Sequence, residues 1–206
     1  MVAENCWDNI EVSGFKKERN KPHNHRRIGD VARELGVDAT EFVLDLFLEE
    51  DLDITAVFHE MCEEDVETVI AHPLASIGSD GEVSALYGPF ADIPEHPRAF
   101  GTFPRAIRRY SLDKEVVSLH EMIRKMTSSP AARLGIADRG VIRKGMMADV
   151  VVFDPAIITD RATFAKPHQY SEGITEVFVN GTLTIREGEH LKERAGMVLR
   201  KQPVIS

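Results

Sequence analysis

The chain has 206 residues, 43% of them apolar and 29% charged, with 14 glycines and 10 prolines, a globular composition that excludes collagen-like, low-complexity and wholly disordered chains. No apolar run reaches the roughly 20 residues of a membrane-spanning helix, Met1–Gly14 lacks a signal-peptide core, and Cys6 and Cys62 are too few for a disulfide scaffold, so a soluble cytoplasmic protein is expected. The net charge of -9 is uneven, with no Lys or Arg between Arg33 and Arg98 and 17 acids over residues 34–97, while the basic residues elsewhere are too scattered for a nucleic-acid surface.

The first helix signal is Ile28, Val31, Ala32 and Leu35, spaced i, i+3, i+4, i+7, with Gly36 placed to stop it. Asp38 and Glu41 form a capping box for a second helix, Ala39–Glu49, whose Phe42, Val43, Leu46 and Phe47 make a core face. Leu44 and Leu48 widen that face, so burial on more than one side is expected. A third helix, Cys62–Ala71, places Cys62, Val66, Val69 and Ile70 on one stripe, with Cys62 as core, and ends before Pro73. Strand-length apolar runs at Ile54–Phe58 and Leu74–Gly78 flank it, and strand, helix, strand predicts a parallel βαβ unit.

From Ser79 to Phe103 no period is visible, and Pro89, Pro94, Pro97, Tyr87, Phe90 and Phe100 mark a long loop whose aromatics argue against disorder. Helices resume at Phe103–Tyr110. Ser118 and Glu121 then form a second capping box, with Val117 and Met122 as its staple. A short helix follows, with Ser129 as N-cap, Pro130 at its first position and Gly135 beyond its end. From Gly140 the pattern turns to strands: Val141–Ile142, Ala148–Phe153, Glu176–Val179 and, across an Asn180–Gly181 hairpin turn, Thr182–Ile185. The C-terminal third therefore reads as a small β subdomain after an α/β part.

Asp80 stands where a buried parallel strand would end, the edge at which sites assemble in α/β folds. A carboxylate there either ligates a metal or moves a proton, unless Asp80–Gly81 is simply a turn. Arg98, the first basic side chain in 64 residues apart from histidine, follows the stiffening Pro97 and is either a carboxylate-binding fork or a surface arginine. His23-Asn24-His25 has the spacing of a metal pair, but Lys21, Arg26 and Arg27 make it a basic surface segment. No phosphate-binding loop, nucleophile elbow or HExxH motif is present.

Two stretches, Ile77-Gly78-Ser79-Asp80-Gly81 and His96-Pro97-Arg98-Ala99-Phe100-Gly101-Thr102-Phe103-Pro104-Arg105, closely resemble the late-barrel segment of N-acyl-D-amino-acid deacylases of the amidohydrolase superfamily. The similarity continues through Ile123–Thr127, Arg139-Gly140, Gly145–Pro155, Asp160–Phe164, Pro167–Tyr170, Val177–Gly181 and Gly196–Arg200. It implies an α/β fold: the C-terminal part of a (β/α)8 barrel over 1–138, with an active-site loop at 79–103, followed by a small β domain over 139–206. It also implies a zinc-dependent hydrolase acting on a small-molecule N-acyl-D-amino acid, with no nucleic-acid or membrane partner. Asp80 matches the family's catalytic aspartate beside the zinc, and Arg98 matches the arginine that holds the substrate's α-carboxylate.

Family members carry a His-x-His pair on the first barrel strand and further metal-binding histidines on middle strands, and His23 and His25 match none of these. A whole barrel needs roughly 250 residues. The expectation is therefore a C-terminal portion, inactive and self-associating without the upstream barrel. A dihydropyrimidinase-like ring opener and a non-catalytic interaction module are the alternatives. Arg98 favours the deacylase, because cyclic amides present no free carboxylate.

Overall fold

Side-chain caps at Asp38 and Ser118 start two of the helices in the computed structural model, which describes residues 6–82, 85–91, 95–164 and 166–200. The chain divides into two compact units, residues 1–63 and 64–206.

In the first unit, β1 (Ile10–Ser13) is the central strand of a sheet in the order β2 (Arg26–Arg27), β1, β3 (Thr55–Phe58). Both pairings are antiparallel, with Val12 opposite Arg26 on one side and Ala56 on the other. Helix α1 (Ile28–Leu35) stops at Gly36, whose φ of +69° is the left-handed conformation that glycine adopts freely. Helix α2 (Ala39–Glu49) starts at Asp38, whose carboxylate accepts the N–H groups of Thr40 and Glu41. Val12, Phe15, Ile28, Val43 and Leu46 form the core of this unit. Glu50 is buried but satisfied, accepting from the backbone N–H groups of Lys16 and Lys17 and from the Asn20 amide. Burial raises its pKa, yet these donors outweigh burial and leave it below the ordinary glutamate value.

Three expectations fail here. Leu44 and Leu48 point to solvent, at 58% and 76% exposure, so α2 has one core face. Cys62 is exposed, because α3 begins at Glu63, after it. The parallel βαβ unit is absent among the described residues: β3 pairs antiparallel with β1, and Leu74–Gly78 belongs to no strand. Apolar, β-branched composition makes a segment suitable for a sheet, but a strand exists only where a neighbour takes up its backbone groups.

In the second unit, α3 (Glu63–Ala71) supplies Ile70 to a core shared with Ala106, Ile107, Tyr110, Met122 and Ile158. Helix α4 (Arg98–Arg105) starts five residues before the expected helix, so the irregular stretch after Ser79 is shorter than its sequence suggested. Pro104 lies inside α4 and has no N–H to give the carbonyl of Phe100, which instead accepts the Ser171 hydroxyl at 3.1 Å. Directly after this proline the chain widens into a π-helix over Ala106–Asp113. Helix α5 (Leu119–Met126) is capped by Ser118 through the Glu121 N–H, as expected. Helix α6 (Ser128–Leu134) starts slightly early, with Thr127 at its N-cap, and ends at Gly135 with φ +70°.

The C-terminal sheet is an antiparallel meander of β4 (Val150–Phe153), β5 (Ile174–Val179), β6 (Thr182–Arg186) and β7 (Glu189–His190). Asn180 and Gly181 both have positive φ, +49° and +82°, as their hairpin turn requires. Glu187 and Gly188 repeat the device at +50° and +81° and create the unforeseen β7. Val141–Ile142 is not a strand, and Ile142 is 93% exposed. No helix among the described residues is long and apolar enough to cross a membrane.

Candidate active site

The segment after α3 carries Asp80 in the left-handed backbone region, at φ +48°. Aspartate tolerates that region better than most residues, and such conformations cluster at functional sites. Ser79 steadies the turn, its hydroxyl accepting the Gly81 N–H at 3.2 Å. At Gly81 a side chain is impossible, because a Cβ would lie 2.7 Å from the Cα of Ala99 in the first turn of α4. This close approach of turn to helix is what sets Asp80 beside the residue before Ala99.

That residue is Arg98, and its Nη2 meets Asp80 Oδ2 at 2.9 Å. The two side chains singled out in the sequence, 18 positions apart, therefore form one ion pair. The Asp80 side chain is 86% exposed and that of Arg98 46%, so the pair sits in solvent. An exposed pair of this kind is worth about 0–1 kcal/mol. Another carboxylate can therefore compete for the guanidinium at little cost.

Arg98 opens α4, and its backbone N–H donates to His96 Nδ1 at 3.1 Å. The His96 ring meets Phe164 edge-on at 4.9 Å. Burial first, and then the positive charge of Arg98, hold the His96 pKa below the ordinary imidazole value. The imidazole is thereby kept neutral, the state in which Nδ1 can accept. The helix is braced along its length: Gly101 lies against Asp160, Phe100 contacts the rings of His168 and Tyr170, and Arg105 pairs with Asp160 at 3.1 Å.

Between Asp80 and Arg98, the loop is tied to β7 by a hydrogen bond between the Tyr87 hydroxyl and His190 Nδ1 and by stacking of their rings. Pro94 and residues 83, 84, 92 and 93 of this loop lie outside the described residues.

Among the described residues, no group of three or more His, Cys, Asp or Glu side chains is arranged to hold a metal ion. Zn²⁺ takes three or four protein donors, so Asp80 alone does not fit a zinc site. His23 and His25 stay apart from Asp80 in sequence and have separate contacts: His23 packs edge-on against Phe42 at 5.8 Å, and His25 Nδ1 lies 3.3 Å from Glu11. His25 is exposed, as its basic surroundings suggested, whereas His23 is half-buried against Phe42 with its Nδ1 shielded from solvent.

Sequence reasoning gave no role to Lys125, which it noted only within a matching stretch. This lysine is fully buried, at 0% exposure, and its Nζ donates to the carbonyls of His72 and Ala75. A signal existed, since Lys125 shares a helix face with Met122, three residues before it.

Residues 20–185 match the model of the amidohydrolase family. Of curated relatives from Alcaligenes xylosoxydans xylosoxydans, an N-acyl-D-aspartate deacylase is 40% identical over 171 residues, 80% of this chain and 33% of that protein. A D-aminoacylase from the same organism is 38% identical over 85% of this chain and 34% of its own length. The chain thus spans about a third of the length of the curated relatives it matches. A solved D-aminoacylase structure superimposes with a TM-score of 0.75 at 34% identity, over 91% of this chain and 36% of that one. An N-acyl-D-glutamate deacylase from Bordetella bronchiseptica, solved with zinc and a phosphonate inhibitor, gives a TM-score of 0.71 at 30% identity, over 92% of this chain and 39% of that one.

Proposed function

This chain belongs to the amidohydrolase family, and on that premise we propose that it supplies the catalytic carboxylate and the substrate-anchoring arginine of an N-acyl-D-amino-acid deacylase. The reaction is hydrolysis of a linear amide, giving a carboxylic acid and a free D-amino acid. The observation that carries the reading is the 2.9 Å approach of Arg98 to Asp80. A carboxylate seated on Arg98 lies next to the scissile amide of an N-acyl amino acid, so anchoring one end brings the other to Asp80.

Asp80 accepts a proton from the attacking water and delivers it to the departing nitrogen as the carbon–nitrogen bond breaks. Arg98 leaves Asp80 for the incoming carboxylate, which frees the aspartate to act as a base. The cofactor we propose is zinc, with Asp80 as one of its ligands and the remaining donors on barrel strands outside the described residues. The zinc-bound N-acyl-D-glutamate deacylase supports that choice of metal. The full (β/α)8 barrel, a cytoplasmic setting and self-association of the 206 residues when separated from the rest of the barrel belong to the same proposal. The separated chain is expected to be inactive.

The test is release of free D-amino acid from N-acetyl-D-amino acids by the complete enzyme, compared with the same substrates bearing a neutral carboxamide in place of the carboxylate. Preference for the carboxylate series that disappears in Arg98→Ala supports the reading. Equal turnover of both series by the parent enzyme overturns it.

A further inference from the structure

The stretch from His72 to Ile77, which overlaps the strand-length run Leu74–Gly78, has no strand partner among the described residues, yet its first four carbonyls are not left open. Its carbonyls are taken by cations from α5 and α6. Lys125 Nζ donates to His72 O at 2.5 Å and to Ala75 O at 3.2 Å. Arg133 donates to Leu74 O at 2.7 Å, and Arg124 to Pro73 O at 3.2 Å. Four consecutive carbonyls are thus held by three positive side chains. The main chain of Lys125 adds a further tie, its carbonyl accepting the Ile77 N–H at 3.1 Å. Lys125 therefore grips the segment at both ends, with its side chain at residues 72 and 75 and its backbone at residue 77.

A buried lysine is costly unless its charge is answered, and here the answers are two carbonyls with Glu121 Oε1 at 3.8 Å. His72 O also lies just beyond the C-terminus of α3, where a cation is favoured by the helix dipole. Three residues past the Ile77 tie stands Asp80. We propose that Lys125, assisted by Arg133, is a positioning residue for Asp80: these cations fix the run of chain that delivers the carboxylate to Arg98 and the substrate. The role in turnover rests on the deacylase reading, whereas the mechanical role does not.

The proposal distinguishes placement from general stability. A misplacement of the reacting group by about 1 Å can cost on the order of 10²-fold in rate. Substrate binding through Arg98, which belongs to α4, should be spared. In the complete enzyme, Lys125→Met should therefore lower kcat by about 10- to 100-fold and leave KM within about twofold. Hydrogen exchange, measured without substrate on the same protein, should quicken by roughly tenfold over residues 74–81 and stay unchanged in β5 and β6. Arg133→Ala, at an exposed position where truncation should leave the fold intact, should give a smaller change of the same pattern, about threefold in both readouts.

Unchanged exchange over residues 74–81, exchange that rises equally in β5 and β6, or a raised KM with kcat intact would each overturn the proposal. If Lys125→Met does not fold, Arg133→Ala decides, and parental exchange and kcat in that variant overturn it. If the parent enzyme hydrolyses no N-acyl-D-amino acid, the deacylase reading fails and the exchange result alone judges the grip on residues 72–77.

Discussion

Two stretches of this chain read alike in sequence and end differently. Val150–Phe153 and Leu74–Gly78 are both short apolar runs, but the first is β4, paired with β5 from Val150 opposite Phe178 onward, and the second has no ladder among the described residues. In the sheet, backbone groups answer one another, and the hairpin at Asn180–Gly181 fixes the register. In the run before Asp80, side-chain cations from α5 and α6 take the place of a neighbouring strand. The sheet thus depends on its turns. The other stretch depends on a buried lysine and an arginine, and holds a carboxylate where the chain turns left-handed. Damage to the sheet should appear as lost stability, and damage around Asp80 as lost turnover.

The sharpest break in that contrast is expected from Asp80→Asn in the complete enzyme. The amide is nearly isosteric but cannot take a proton from water, so kcat should fall by about 10²- to 10⁴-fold while the melting temperature hardly moves. Retention of more than about a tenth of parental kcat would remove Asp80 from the proposed role.

Arg98→Ala comes next. Hydrogen bonds to charged groups contribute about 1.5–3 kcal/mol, so kcat/KM for a carboxylate substrate should drop by roughly 10- to 150-fold. Arg98→Lys should restore part of this, since the planar fork is lost. A carboxamide substrate should be nearly indifferent to either change. Equal slowing of both substrates would make the arginine structural.

On the sheet side, Gly181→Val places a branched side chain at φ +82°. The strain is roughly 1–2 kcal/mol, which corresponds to a melting temperature lower by about 2–8 °C for a chain of this size. Turnover at low temperature should be unaffected. Loss of kcat without loss of stability would contradict the division of labour drawn above.

The smallest effect concerns His96. Its folded pKa is lowered, by burial and then by Arg98, so the unfolded chain takes up a proton first as the solution is acidified. The stability from neutral His96 is present above the ordinary imidazole value near 6.5 and is lost as pH falls through the lowered folded value. His96→Asn retains an acceptor for the Arg98 N–H and removes the titration. Between about pH 7 and pH 5 the parent should lose slightly more in melting temperature than this variant. Equal losses would show that His96 does not titrate on unfolding.

What was legible in the sequence follows the range of the forces involved. The capping residues Asp38 and Ser118, the stops at Gly36 and Gly135 and the turn at Asn180–Gly181 act within a few residues, and each stands where local chemistry placed it. Features that depend on distant partners were not legible. Leu74–Gly78 looked like a strand because composition says nothing about the neighbour a strand needs. The Phe100 carbonyl that Pro104 leaves without an N–H is answered by Ser171, 71 positions away. Asp80 and Arg98 could be nominated by position and by resemblance, but their contact required the fold. Lys125 escaped because a lysine is read as surface, and it takes the carbonyls of His72 and Ala75, with the Glu121 carboxylate nearby, to make its burial tolerable.

The contact between Gly81 and Ala99 has a consequence for anyone who diversifies this protein. With Ala99 Cα 2.7 Å from where a Cβ would stand, a saturation library at codon 81 should return almost nothing but glycine among active clones. The neighbouring turn residue Ser79 is held in the turn by its hydroxyl, and it should accept replacements that still receive the Gly81 N–H. Mutational tolerance would therefore jump from permissive to closed across two codons, tracing the wall of the site before any substrate is identified.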